Sequence, residues 1–160
     1  MPLDPRARDF LQMLHRVEAP RMHELPVEVA RRNFDKMLFL YRGTVREDVL
    51  VADLSISRPA HAGGALPLRL YRPAGAGGVP QPVLLWLHGG GWTLGSLDAY
   101  DPFCRALAAA AGCVVAALDY RLAPEHPFPA AVTDARTAWE YAISKSPDWG
   151  IDPHRVVVAG

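Results

Sequence analysis

The chain has 160 residues, half of them hydrophobic, which is single-domain size and enough to bury a core. Its 17 basic and 17 acidic side chains balance, which argues against a nucleic-acid binder held by a basic surface. The 15 prolines and 13 glycines fall between periodic segments rather than in one low-complexity tract, so disorder is not the reading.

The N-terminus, Met1 to Arg6, lacks the apolar core of a signal peptide. No stretch approaches the roughly 18–20 apolar residues of a membrane span, so a soluble cytoplasmic protein is expected. Asp4-Pro5 reads as an N-cap with proline at the first helical position, followed by Phe10, Leu11, Leu14 and Val17 at helical spacing up to Pro20. A second helix runs from Pro26, with Val27, Ala30, Phe34, Met37, Leu38 and Tyr41 on one face, and Gly43 closes it. The residues that follow, Val45 to Ile56 and Leu66 to Tyr71, are β-branched or alternating and flank Gly63-Gly64, which predicts an antiparallel pair. Val83 to Leu87 is a short unbroken apolar run, suited to a strand covered on both faces.

The order then becomes strand, helix, strand, helix, strand. Asp101-Pro102 is expected to cap a helix carrying Phe103, Leu107 and Ala110, ended by Gly112. Cys113 to Leu118 is the next buried strand. Cys104 and Cys113 make no disulfide framework, and Cys113 reads as a small buried hydrophobe. Pro129 opens a helix with Val132, Ala135, Trp139, Ala142 and Ile143 on one face, ended by Pro147, and Asp152-Pro153 turns into a last strand, Arg155 to Gly160. Such alternation implies right-handed crossovers and a mostly parallel sheet flanked by helices, the α/β class. An apolar run such as Val156 to Ala159 belongs in the middle of a sheet, which predicts that the chain is incomplete.

Three glycines, Gly89, Gly90 and Gly91, follow the Val83–Leu87 run directly. Glycine costs backbone entropy, so three in succession need a reason. At the carboxyl end of a strand such a loop can gather backbone N–H groups into an anion nest, as acyl-transfer enzymes do for the oxyanion of a tetrahedral intermediate. A flexible turn is the alternative. A phosphate loop is disfavoured, because no lysine follows. No Cys/His spacing suits zinc, no cofactor is implied, and Asp134 and Glu140 are not arranged as a glycosidase pair. Arg31-Arg32 is too short to be a basic patch.

His88-Gly89-Gly90-Gly91-Trp92 resembles the oxyanion-hole motif of the hormone-sensitive-lipase-like esterases, a branch of the α/β hydrolases. Asp119 to Ala131, reading DYRLAPEHPFPAA, is similar to that family's loop after the fourth strand, and Asp152 to Gly160 to its run into the nucleophile elbow. The resemblance covers the whole chain and is most specific from Val83 onward.

The resemblance implies an α/β-hydrolase fold. Residues 1–42 would form N-terminal cap helices and residues 43–160 the first part of the core. Gly90 and Gly91 would supply two oxyanion donors, with Gly89 shaping the loop. Gly160 would open the Gly-Asp-Ser-Ala-Gly-Gly elbow, placing the serine two positions beyond this chain. The fold's triad order, serine then acid then histidine, puts the other two members further on, so no histidine here is a triad candidate. His88 is expected to brace its loop through backbone hydrogen bonds, and Asp119, Arg121, Glu125 and His126 to form one polar network beside the site. Trp92, Phe34 and Leu38 are candidate binding residues, with simple packing the competing reading for each. His15, His23, His61 and His154 read as surface or boundary residues. The implied activity is hydrolysis of short- to medium-chain acyl esters, the partner being a small-molecule ester. A second chain carrying the remaining half, a non-catalytic small-molecule receptor of the same fold, and an inactive fragment are the alternatives.

Overall fold

The computed structural model describes residues 3–16, 20–60, 63–75 and 79–160; Val17 and His61 lie outside them. The elements in order are α1 (Pro5–Arg16), a 3-10 turn (Met22–Glu24), α2 (Val27–Leu40), β1 (Val49–Ser57), β2 (Ala65–Pro73), β3 (Gln81–Leu87), α3 (Leu97–Ala111), β4 (Val114–Leu118), α4 (Ala130–Ser144), α5 (Ser146–Trp149) and β5 (Ile151–Ala159). The five strands form one sheet in the order β1-β2-β4-β3-β5. The β2 strand runs antiparallel to both β1 and β4, whereas β3 is parallel to β4 and β5. None of the described helices is long and apolar enough to cross a membrane.

The centre of the sheet is covered on both faces, which is why β3 and β4 read as unbroken apolar runs. Along β4, Val114, Ala116 and Leu118 join Val83 and Leu85 of β3 against Ala138, Ala135 and Trp139 of α4. The alternate residues Val115 and Ala117, with Leu84 and Trp86 of β3, meet Cys104, Ala108 and Leu107 of α3 on the other face. All five residues of β4 are buried. Each large apolar side chain removed from water in this way contributes ~1.5–3 kcal/mol.

Connectivity places the site. From β3 the chain passes through α3 on one face to β4, then through α4 on the opposite face to β5 on the far side of β3. The two crossovers run in opposite directions along the sheet, the first from β3 to β4 and the second from β4 back past β3 to β5. Ligands of open α/β sheets bind at such a switch point, beyond the carboxyl ends of the strands. Here those ends carry the segments 88–96, 119–129 and Gly160.

Four local expectations are corrected. The first strand begins at Val49, not Val45: Val45 is exposed, and Arg46 and Asp48 instead pair at 2.6 Å. The third helix begins at Leu97, with Ser96 as its N-cap accepting from the Ala99 N–H at 3.1 Å. Asp101 therefore lies inside that helix and holds Arg105 at 2.7 Å, while the amide that Pro102 lacks would have reached the carbonyl of exposed Asp98. The buried stripe of α4 is Asp134, Ala138 and Ala142, and Val132 faces out at 56 % exposure. Asp152-Pro153 lies within β5 as a break in register between Gln81 and Val83, not as a turn.

Both cysteines are free and buried. Burial pushes the Cys104 thiol up to about 12 and raises that of Cys113 as well. Since the thiolate is the reactive form, a thiol reagent at pH 8 is expected to leave both unmodified in the folded protein and to label both after denaturation. Rapid labelling under native conditions would contradict the packing described.

Candidate active site

Leu87, the last residue of β3, is followed by buried His88 and the glycine loop. The imidazole of His88 is stacked on Tyr120 at 4.4 Å and on Tyr100 at 5.7 Å between centroids. Its Nδ1 lies 3.0 Å from the Gly89 carbonyl. A carbonyl only accepts, so Nδ1 carries the proton and donates. The Tyr120 hydroxyl donates to the His88 carbonyl at 2.6 Å, and the other ring nitrogen, Nε2, is buried with no partner among the described residues. Desolvation lowers the imidazole pKa against smaller opposing effects of the Gly89 carbonyl and Asp119, so His88 is neutral at pH 7. The His88 ring thus bonds the backbone of its own loop, and the effect of that bond is specific. A trans peptide holds its C=O and N–H on opposite sides, so fixing the Gly89 carbonyl also fixes the direction of the Gly90 N–H.

The loop then makes a tight turn. Thr93 and Leu94 donate their N–H groups to the Gly90 carbonyl at 3.2 and 3.0 Å. Gly90 has φ 134°, and a Cβ there would overlap the Leu94 carbonyl, so only glycine closes this turn. Gly95, at φ 97°, leaves no room for a Cβ beside His88 Nδ1 and the Gly89 carbonyl. Trp92 is the one non-glycine with positive φ among the described residues, at 59°. Among the described residues, the N–H groups of Gly90 and Gly91 donate to no protein acceptor. Gly90 is half-buried and Gly91 exposed, so both amides are open to a ligand entering this concave surface.

That surface is a groove of about 410 Å³ lined by Leu87, His88, all three loop glycines, Trp92, Tyr120, Gly160 and Ala131, Val132 and Ala135 of α4. A side chain at Gly160 would overlap the Leu87 carbonyl, which is why the end of β5 can close against the end of β3. A second, more apolar cavity of about 520 Å³ continues past Gly91 and Trp92 to Arg121, His126, Phe128 and Val132. Trp92, 67 % exposed, therefore stands between the two. Phe34 and Leu38 are half-buried on α2 and line neither cavity, because α2 packs on α3 instead.

The polar residues after β4 do not form the single network expected; they divide between two partners. Arg121 binds Asp134 of α4 through its backbone N–H at 2.9 Å and its guanidinium at 2.9–3.2 Å. Arg58, just past β1, reaches the same carboxylate at 3.0 Å. Glu125 instead pairs with Arg31 of α2. The side chains of Asp119 and His126 bond to neither group; burial raises the Asp119 pKa, and His126 is exposed. The separation arises because Asp134 is fully buried and surrounded by two guanidiniums, whereas Glu125 lies on the rim. Sequence reasoning passed over Arg31, Gly95 and Asp134. Only Asp134 left a signal, a charge within the apolar stripe of a helix.

Comparison with known proteins agrees with this geometry. A family model of the alpha/beta hydrolase fold matches residues 84–160. Ethyl acetate hydrolase of Pseudomonas putida is 41% identical over 174 residues, covering 100% of this chain and 51% of that protein. Carboxylic ester hydrolase LipN of Mycobacterium tuberculosis is 50% identical over 111 residues, 69% of this chain and 28% of its own. Among solved structures, a hyperthermophilic esterase from Pyrobaculum calidifontis superposes with a TM-score of 0.86 at 37% identity, over 100% of this chain and 50% of that one. An ester hydrolase from the metagenome of Lake Arreo does so with 0.88 at 34% identity, over 98% and 50%. The chain spans about half the length of the curated relatives that it matches end to end. With its glycine loop, its parallel strands and these relatives in agreement, the chain belongs to the hormone-sensitive-lipase-like esterases of the α/β-hydrolase fold.

Proposed function

We propose that the protein carrying this chain hydrolyses carboxylic esters of short- to medium-chain acids through a serine acyl-enzyme, with the Gly89–Gly91 loop as its oxyanion hole. The observation that carries this reading is the pair of N–H donors on Gly90 and Gly91, unpaired among the described residues, in a groove at the carboxyl ends of β3, β4 and β5. The nucleophile is the serine of the elbow that Gly160 opens, two positions beyond it, and the acid and histidine follow later in the sequence. The serine Oγ attacks the ester carbonyl carbon and passes its proton to the histidine. The carbonyl oxygen becomes an oxyanion held by Gly90, Gly91 and the amide that follows the serine. Collapse expels the alcohol, which takes the proton from the histidine, and water then releases the acid by the same steps. The α1 and α2 helices form the cap, and Trp92 divides the acyl from the alcohol side. No cofactor takes part.

The test is turnover of p-nitrophenyl esters by the complete protein, together with covalent labelling by a fluorophosphonate. Turnover favouring short and medium acyl chains, with the label on the serine after Gly160, is expected. The absence of both turnover and labelling would overturn the reading.

A further inference from the structure

The α2 helix sends the Arg31 side chain to the segment that follows the glycine loop. The Arg31 guanidinium donates through Nε to the Thr93 carbonyl at 2.8 Å and through Nη2 to the Ala123 carbonyl at 2.9 Å. Its outer edge holds Glu125 with two bonds, at 2.9 and 2.7 Å. The bonds to Glu125 raise the Arg31 pKa, so the group stays charged at every working pH. The same bonds hold the Glu125 carboxyl down at about 2, so the pair persists above the ordinary carboxylate range and is lost only as pH falls toward that value. One helical turn on, Asp35 accepts from the Ser96 hydroxyl at 3.2 Å. The α2 helix thus grips the segment 93–96 at two points.

Two peptide planes join Arg31 to the oxyanion donors. The Thr93 carbonyl that Arg31 binds shares a peptide with the Leu94 N–H, and that N–H donates to the Gly90 carbonyl at 3.0 Å. The Gly90 carbonyl shares a peptide with the Gly91 N–H. Both peptides are trans, the cis bonds of the described residues lying elsewhere. In a trans unit, fixing the carbonyl fixes the N–H on the opposite side. Aligned hydrogen-bonded amides also polarise one another, so the positive charge at Arg31 favours a stronger donor at Gly91.

We propose that Arg31 is a positioning residue for the oxyanion hole: acting through the Thr93–Leu94 and Gly90–Gly91 peptides, it sets the direction of the Gly91 N–H and couples the seating of α2 to that donor. The inference rests on the esterase reading above. His88 sets the Gly90 donor from inside the core, and Arg31 sets the Gly91 donor from the helix above.

The experiment compares Arg31→Ala, Arg31→Lys and Glu125→Gln in the complete protein, with kcat expressed per fluorophosphonate-titrated site so that unfolded molecules do not count. Arg31→Ala is expected to lower kcat roughly 10- to 100-fold with little change in KM, the pattern of a donor lost only in the transition state. Arg31→Lys regains part of this, since an ammonium reaches one carbonyl but lacks the fork. Glu125→Gln loses less than Arg31→Ala, because both carbonyl bonds remain. Amide hydrogen exchange over residues 88–96 is expected to quicken in Arg31→Ala whether or not the protein is an esterase. A kcat within twofold of wild type, or a raised KM at unchanged kcat, would overturn the proposal while leaving the esterase reading intact. If the wild-type protein turns over no ester, that reading fails instead, and exchange alone decides: faster exchange supports the Arg31 coupling and unchanged exchange overturns it.

Discussion

Asp134→Ala is expected to destabilise the fold by about 3–5 kcal/mol, the range for breaking a buried ion pair from one side. Asp134 is fully buried, and its two partners, Arg58 and Arg121, are 10% and 16% exposed. Removing the carboxylate strands two guanidiniums that cannot lose their charge. The three residues also join distant parts of the chain: Arg58 follows β1, Arg121 opens the loop that borders both cavities, and Asp134 lies on α4. Burial alone would raise the Asp134 pKa, but the bonds from Arg121 and Arg58 outweigh it and the net shift is downward. A carboxylate depressed in this way stabilises the fold above its ordinary value of about 4, and that contribution fades as pH falls through the lower, folded value. Asp134→Asn should therefore be less stable than wild type at pH 7 and lose less on acidification. Denaturant midpoints at pH 7 and pH 3 measure both effects. Equal midpoints for wild type and Asp134→Ala would mean that the ion triad does not hold the loop.

Gly90→Ala is expected to reduce kcat/KM by at least ~10²–10³, the usual consequence of losing an oxyanion donor. The added methyl group cannot be accommodated by a side-chain shift, because it meets the backbone carbonyl of Leu94 at a φ of 134°. The Thr93 and Leu94 bonds to the Gly90 carbonyl would break, and the Gly91 N–H would turn with its peptide. The turn lies outside both hydrophobic clusters, so the thermal midpoint is expected to change far less than activity. Ester turnover and melting temperature, measured on the same preparation, separate the two. Activity within tenfold of wild type would show that the loop is not where the charge develops.

Much of this architecture could be read from the residues. Val83–Leu87 and Val114–Leu118 announced themselves because both faces of the sheet are covered, and the loop His88–Trp92 stood out because three glycines have no packing value. The errors share a physical cause. Asp101-Pro102 imitates a helix start, yet Ser96 has the side-chain oxygen that caps Ala99, and buried Pro102, in the second turn, removes only one helical bond, to the Asp98 carbonyl. Phe34 and Leu38 are a different case, since their spacing fits a pocket wall and plain packing alike, and α2 meets α3. Arg31 looked like half of a short basic pair. Its partners are the Thr93 and Ala123 carbonyls and Glu125, 62 to 94 residues away, and such separations leave no local trace. Asp134 did leave one, since a carboxylate among Ala131, Ala135 and Ala138 demands buried cations.

The proposed mechanism stands or falls on the Gly90 and Gly91 amides receiving the oxyanion. The most direct test is a crystal structure of the complete protein inactivated by a phosphonate, whose phosphoryl oxygen stands in for that oxygen. The phosphoryl oxygen is expected about 2.7–3.1 Å from both the Gly90 and the Gly91 nitrogens, with the Arg31 bond to the Thr93 carbonyl intact. A phosphoryl oxygen held by other groups, with these two amides turned away, would contradict it.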